Sequence, residues 1–566
     1  MTELSQVGLQ VMWNRLISIV EEQAQALVRT AFSTSVREAG DLSAGVYNAR
    51  GEMLAQAVTG TPGHVNAMAD AVPHFIRRIG RQNMFEGDVY ITNDPWEGTG
   101  HLHDFTVVTP SFHEGQLIGF FACTAHVTDV GGRGFGADAN SVYEEGLHLP
   151  ILKFATRGEV DQTLLTVIRG NVREPDQIIG DIYALATCNE VGHRRLIDMV
   201  REFALPDLTA ISDFILTHSR EATLARINAL TPGVASGHMR IDGYATPIDL
   251  HVHLSIERDR ISCDWAGTSG IDPKGINVPL VYTKAYACYA LKCAIAPKIP
   301  NNAASLAPFE ITAPENTIVN APHPAPVALR HIIGHMVPDT VYAALDLLLP
   351  ETVPAEGAGC LCNFQMSVRP APGAPASARR AEVLTFNSGG SGARPALDGM
   401  NATAFPSGVM TMPVEATEQV GPVIIWRKEL RPDSGGAGRQ RGGLGQFMDV
   451  AARPGHEFDL QAMFDRLNHP ARGRRGGGEG APTTIERGDG TALRGKGKQF
   501  IPEGARVQMA FPGGAGYGPT NERPHTEILR DLALGYISAE AARETYGLST
   551  AEIGETLARA AKGEMF

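Results

Sequence analysis

Cysteine is scarce in this sequence, seven residues in 566, and no two of them are spaced C-x-x-C. Cys360 and Cys362 stand too close for a disulfide of normal geometry and lack the partners of a zinc knuckle, so reduced, mostly structural thiols are expected. Long apolar runs free of charge are also missing. The most apolar helical stretch, Val278 to Pro297, carries Lys284 and Lys292, which argues against a membrane span. The opening MTELSQVGLQVMWNRL has neither a cationic start followed by an apolar core nor a small-residue cleavage site. A signal peptide is therefore not expected, and a cytoplasmic location is. Positive charge is in deficit: the net charge is −13, which disfavours a nucleic-acid partner. The arginines at Arg472-Gly-Arg474-Arg475 cluster within one glycine-rich loop, which suits a local anion or interface role.

Several catalytic signatures are absent as well. There is no G-x-G-x-x-G, G-x-S-x-G or H-E-x-x-H, which disfavours a dinucleotide enzyme, a serine hydrolase of the elbow type and a zincin. Gly490-TALR-Gly495-Lys496 matches the first part of a phosphate loop, but Gly497 stands where the Mg²⁺-binding Ser or Thr belongs. No helix pattern follows it to present an N-terminus to phosphate. The chain is expected not to bind ATP by itself.

What is present fits a large globular protein of more than one core. Hydrophobic residues make up 43% and charged residues 20%, and 62 glycines point to many turns and close backbone contacts. Residues 7–33 repeat apolar side chains at helical period. Val46 and Met53 to Val58 flank Asn48-Ala-Arg-Gly51 as a hairpin would, and Asn66 to Ile79 suits a helix with His64 just before its first turn. Helical patterns run from Leu164 to Glu221 with breaks at Arg173-Glu-Pro and near Pro206. Beyond Pro232 short strands and turns dominate, interrupted by helices near 278–295 and 336–349, and two short amphipathic helices close the chain. The expected class is α+β with several subdomains: a metal-site region at 1–205 with a helical layer, a helical connector at 206–235, a β-rich region at 236–522 and a helical cap at 523–566.

The most informative stretch is NDPWEGTGHLHDFTVVTPSFHEGQLIGFFACTAHVTDVGG, residues 93–132. Phe105 to Phe112 and Gln116 to Thr124 are β-prone runs on either side of His113-Glu114-Gly115, the glycine-containing break that a hairpin turn needs. Pairing centred on Glu114 sets Asp104 across from Thr124 and His101 across from Val127, next to His126. The open ends of both strands thus gather His101, Asp104 and His126, with facing Cβ atoms about 5 Å apart. Imidazole nitrogens and a carboxylate converging at that distance suit a divalent ion of the Zn, Mn or Fe type. Solvated or capping residues at strand ends would produce the same pattern. His103 is a rival for His101, but strand alternation puts it on the other face from Asp104. The long glycine-punctuated loop that follows brings Asp129, Glu144 and Glu145 to the same region.

The run NDP-x-x-G-T-x-H-x-x-D and the A-H-x-x-D-x-G-G after the hairpin resemble the hydantoinase B/oxoprolinase family. The similarity continues at EEGLHLP (144–150), PKIPNN (297–302), SGGSGARPALDG (388–399), LRPDSGGAGRQRGGLG (430–445) and PGGAGYGP (512–519). The resemblance implies one divalent ion, zinc or manganese, in an Asp2His2 set that falls on Asp41, His101, Asp104 and His126. Asp41, in REAGDLSAGVYNARGEMLAQ, is supplied by the resemblance alone. Asp129 is the residue expected to transfer protons. A hydantoinase A-like partner subunit would use ATP and Mg to phosphorylate the substrate carbonyl, so a hetero-oligomer is implied. The metal would act as a Lewis acid or lower the pKa of bound water. The implied activity is that of an ATP-dependent cyclic-amide hydrolase acting on hydantoins, 5-oxoproline or related lactams. The alternatives are a ketone carboxylase subunit and a metal-stabilised scaffold whose ion is fully enclosed. Many family members have a second histidine where this chain has Val127, and Trp96 and His103 stand where others vary. Those departures suggest a more apolar pocket rim and keep ketone-type substrates open.

Overall fold

A computed structural model of the chain describes residues 5–58, 61–359 and 361–564. Cys360 lies outside the described residues. The chain groups into two compact units, one of Met1–Gly237, Leu250–Ala344 and Ser407–Met410, the other of His238–Asp249, Leu345–Pro406 and Thr411–Phe566. The expected limits at 205, 235 and 522 describe successive segments of the chain and stand as a proposal.

The first unit is built on a seven-stranded sheet. Its strands are β1 (Leu42–Asn48), β2 (Met53–Gln56), β3 (Val89–Thr92), β4 (Asp104–His113), β5 (Gln116–His126), β6 (Leu152–Thr156) and β7 (Glu159–Val160), in the spatial order β2-β1-β5-β4-β3-β6-β7. Helices cover both faces, so β1 is buried along its whole length and alternation shows in which core a side chain enters rather than in polarity. Phe121 and Val46 enter a core with Met12, Leu16, Leu196 and Met199, from the helices Gln6–Thr30 and Pro175–Glu202. Their neighbours Phe120 and Tyr47 enter the opposite core with Met68, Val72 and Phe75 of the helix Pro62–Ile79. Each such large side chain taken out of water contributes about 1.5–3 kcal/mol.

The β4–β5 hairpin forms, with a register two residues away from the sequence-based one. Glu114 and Gly115, at φ 50° and 81°, make a two-residue turn with positive φ at both centres, the geometry that matches strand twist. A bulge between Ser111 and Phe112 adds one residue more. Asp104 therefore lies directly opposite His126. The helix expected from Asn66 begins at Pro62, capped by Thr61, so His64 sits inside its first turn. The helical layer comprises Gln162–Asn171, Pro175–Glu202 and Thr209–Asn228, broken near Arg173 and Pro206 as the prolines dictate. A further sheet has the order Phe309–Thr312, Arg260–Asp264, Ile248–Glu257, Gly233–Ile241.

In the second unit two four-stranded sheets run in the orders 381–385, 364–370, 456–463, 496–501 and 423–430, 446–452, 506–510, 484–487. The glycine blocks pack backbone against backbone: a Cβ on Gly513 would overlap the carbonyl oxygen of Ser434. Three helices close the chain rather than two, His525–Ala533, Ala539–Glu544 and Thr550–Ala561, because Gly535 and Gly547 adopt positive φ and interrupt the pattern. Among the described residues no helix is long and apolar enough to cross a membrane.

Lys496, the lysine of the phosphate-loop match, opens a strand and is buried, its Nζ 2.8 Å from Asp465 Oδ2. A lysine spent on a buried carboxylate is not presented to phosphate. Replacing Lys496 with alanine should lower unfolding free energy by about 3–5 kcal/mol, because Asp465 loses its counter-ion. Thermal melting of Lys496→Ala checks this, and an unchanged melting temperature would refute it.

Candidate metal centre

The site forms where β4 begins and β5 ends. Asp104 and His126 face each other across the ladder, and His101 reaches the same point from the turn preceding β4. Donor atoms of His101, Asp104 and His126 all lie within 4.8 Å of one another, and all three residues are buried. His101 Nε2 is 2.7 Å and His126 Nδ1 3.2 Å from Asp104 Oδ1. The other carboxylate oxygen, Oδ2, accepts from Thr99 Oγ1 at 2.8 Å and from the Arg330 guanidinium, and His64 Nε2 lies 2.9 Å away. Arg330 also donates to the Thr99 carbonyl and stacks 4.0 Å over the Tyr282 ring. This crowding explains Gly100, where φ is 103° and a Cβ would come within 2.5 Å of Arg330 Cδ.

Asp41 sits between a short helix, Thr34–Arg37, and β1. Its carbonyl accepts from the His126 amide, and its Oδ1 lies 3.5 Å from His64 Nδ1. The His64 ring thus spans the two aspartates. Asp129 is buried, and its hydrogen bonds run to the Gly131 amide and to the backbone and guanidinium of Arg173, with no contact to the triad among them. His103 lies just before β4, its ring stacked on His126 at 5.6 Å and 4.6 Å from Phe135. Neither of its ring nitrogens has a hydrogen-bond partner. Phe135 also stands 4.9 Å from His126 and 5.7 Å from His331. Val127 is fully buried in the core with Leu102, Phe105 and Val130. Trp96 is tied down by its indole N–H to the Ala321 carbonyl.

Burial, then Arg330, presses His101 from its ordinary 6.5 to about 3, and burial with the neighbouring imidazoles holds His103 well below the usual range. Burial alone would raise Asp104, but His101, His64 and Arg330 outweigh it and hold the carboxyl well below the usual range. Burial lowers His64, yet Asp104 and then Asp41 raise it by more. His101 Nδ1 is 2.8 Å from the Ala328 carbonyl oxygen, which can only accept, so that nitrogen carries the proton. A neutral ring then turns the lone pair of Nε2 toward Asp104 Oδ1, itself an acceptor, at 2.7 Å. Two lone pairs at that distance repel unless a cation lies between them. The residues present therefore fit a divalent ion held by His101, Asp104 and His126, with Asp41 adjoining.

A model of the family described as hydantoinase B/oxoprolinase matches residues 5–520. The chain belongs to that family. Family membership bears out the resemblance carried by the hairpin motifs. A putative D-/L-hydantoinase B-type subunit of a Pseudomonas species is 27% identical over 584 residues, covering 98% of this chain and 96% of the relative. The ATP-dependent caprolactamase of Pseudomonas jessenii superposes with a TM-score of 0.87 at 24% identity, over 99% of this chain and 100% of the other. An acetone carboxylase chain superposes with a TM-score of 0.84 at 18% identity, over 98% and 83%. These two structures show the shared fold.

The depressed imidazole has a consequence for pH. Between about 6.5 and about 3 the unfolded chain protonates His101 and the folded, metal-stripped chain does not, so unfolding free energy falls as pH is lowered through that window. Asp104 acts in the same sense further down: its stabilisation is present above its unfolded pKa and lost as pH falls through its lower folded value. Denaturant titrations of chelated protein from pH 7 to pH 3 should show this loss, reduced in His101→Gln. A flat profile would contradict it.

Proposed function

We propose that this chain is the metal-binding B-type component of an ATP-dependent cyclic-amide hydrolase, working with a nucleotide-binding partner of the hydantoinase A kind. Family membership and the fold shared with caprolactamase and acetone carboxylase chains support an ATP-dependent amide hydrolase or carboxylase subunit. The observation that carries the finer reading is the buried convergence of His101, Asp104 and His126 in a chain that aligns along its length with a hydantoinase B-type relative. Loss of Lys496 to an internal ion pair supports placing the nucleotide site on a partner.

In this reading a divalent ion, zinc or manganese, supplies Lewis-acid polarisation and lowers the pKa of bound water. His101 and His126 offer nitrogen donors, and Asp104 offers Oδ1 while Thr99, His64 and Arg330 hold its Oδ2. Asp41 completes the proposed ligand set, oriented through His64. Phe135 and the buried imidazoles keep bulk water away from the reacting face. For Asp129 we favour a bracing role over proton transfer, because Arg173 and the Gly131 amide occupy its carboxylate. The second reading, a ketone carboxylase subunit, draws on the acetone carboxylase fold.

Purified protein should contain about one divalent ion per chain, with most of it lost in Asp104→Ala and His126→Ala. Elemental analysis checks this, and wild-type metal content in both variants would remove the assignment. The complex reconstituted with its partner should open hydantoin-type or lactam rings with ATP consumption and without bicarbonate. Product analysis with and without bicarbonate, on cyclic amides and on small ketones, separates the readings. Strict bicarbonate dependence with a ketone and no ring opening would establish the carboxylase.

A further inference from the structure

The proposed ligands meet a second layer through one short segment, residues 327–330. The Ala328 carbonyl takes the proton-bearing Nδ1 of His101. Two residues on, Arg330 holds Asp104. The position of this segment therefore sets the direction of two of the three donor side chains. What fixes it is a carboxylate from the far side, Glu145, in the long loop between β5 and β6. Glu145 Oε1 accepts from the Val327 amide at 2.6 Å and from the Ala328 amide at 2.8 Å. Its side chain is buried, and Oε2 has no hydrogen-bond partner.

The loop that carries Glu145 is itself tethered. The Glu145 amide bonds to the Val142 carbonyl, Leu147 bonds to Val130, and the Val142 amide bonds to Pro324, just upstream of the anchored segment. On the other side the Leu329 amide bonds to the Gly275 carbonyl. The carboxyl group is thus held in place while it holds the two amides. A side chain shorter by one methylene could not span the gap from this backbone, whereas an amide of equal length would still present an oxygen to both N–H groups.

From this geometry we infer that Glu145 is a positioning residue for the metal centre: it anchors the Val327 and Ala328 amides, and so places the Ala328 carbonyl that fixes the tautomer and the aim of His101. The inference rests on the metal-centre reading above. Burial pushes the carboxyl up to about 8, so what the two amides use is an acceptor oxygen at the right place rather than a negative charge. Partners at one remove from a metal ligand typically govern affinity by about 10–100-fold.

The full chain, stripped and titrated with zinc against a chromophoric chelator, tests the inference without reference to turnover. Glu145→Gln should bind zinc within about threefold of wild type, and Glu145→Asp about 10–100-fold more weakly. Co(II)-loaded Glu145→Asp should show altered visible bands, reporting changed ligand geometry, while circular dichroism shows both variants folded. Wild-type affinity and spectrum in Glu145→Asp would overturn the inference and leave the metal centre standing. Absence of zinc binding by the wild-type chain would overturn both. Should the shorter side chain prevent folding, Glu145→Gln decides alone: binding near wild type supports the relay, and a loss beyond tenfold overturns it.

Discussion

The first unit depends on the buried carboxylate of Asp104. An unpaired carboxylate in that position would cost several kcal/mol in lost hydration. It is tolerated because Thr99, His64 and Arg330 all approach its Oδ2, while Oδ1 faces His101 and His126. Meeting that demand requires the start of β4, the end of β5, the first turn of the Pro62–Ile79 helix and the 327–330 segment to converge on one point. Helices on both faces of the sheet make the point interior, and interior placement depresses His101 and His103 and keeps those two rings neutral. Neutral imidazole is the form that ligates a metal.

The chemistry around the triad is that of aromatic and imidazole rings more than of charge. Phe135 is in ring contact with His101, His103, His126 and His331, and His331 and His335 are both pressed down by burial. Helical spacing of His331 and His335 in the sequence cannot distinguish a histidine turned inward from one turned to solvent. Arg330 is the nearby cation, and it is spent on Asp104 and Tyr282.

The second unit explains much of the motif content differently. The glycine blocks at 388–399, 430–445 and 512–519 pack backbone against backbone where no side chain fits, as at Gly390 against Gly443 and Gly513 against Ser434. Arginines beside them are tied into buried ion pairs, Arg466 with Glu356 and both Arg441 and Arg523 with Asp531. Even the Arg472–Arg475 cluster pairs internally, with Glu356 and Asp346. Motifs that identify the family are therefore in large part rules of backbone packing, and the chemistry is concentrated at the hairpin.

The sequence by itself determined the α+β class, the hairpin with metal-type ligands at its open ends and the helical layer, because local period and turn residues act over a few positions. It also determined the family, through ordered blocks along nearly the whole chain. The register of β4 against β5 was out of reach, since it turns on a two-residue turn and a bulge that the pattern does not mark. Arg330 and Ala328 entered the site only through tertiary structure, and Glu145, expected in the region from its loop, found its partners only there. They lie roughly 180 to 230 residues from their partners, and one of the contacts is a backbone carbonyl that carries no residue-type signal at all. Folding alone decided which carboxylate serves which role: Asp104 faces the imidazoles, Asp129 is bound to Arg173, and Glu145 holds two amides. That choice follows from which hydrogen-bond donors each buried oxygen meets, and those donors come from segments far apart in the chain.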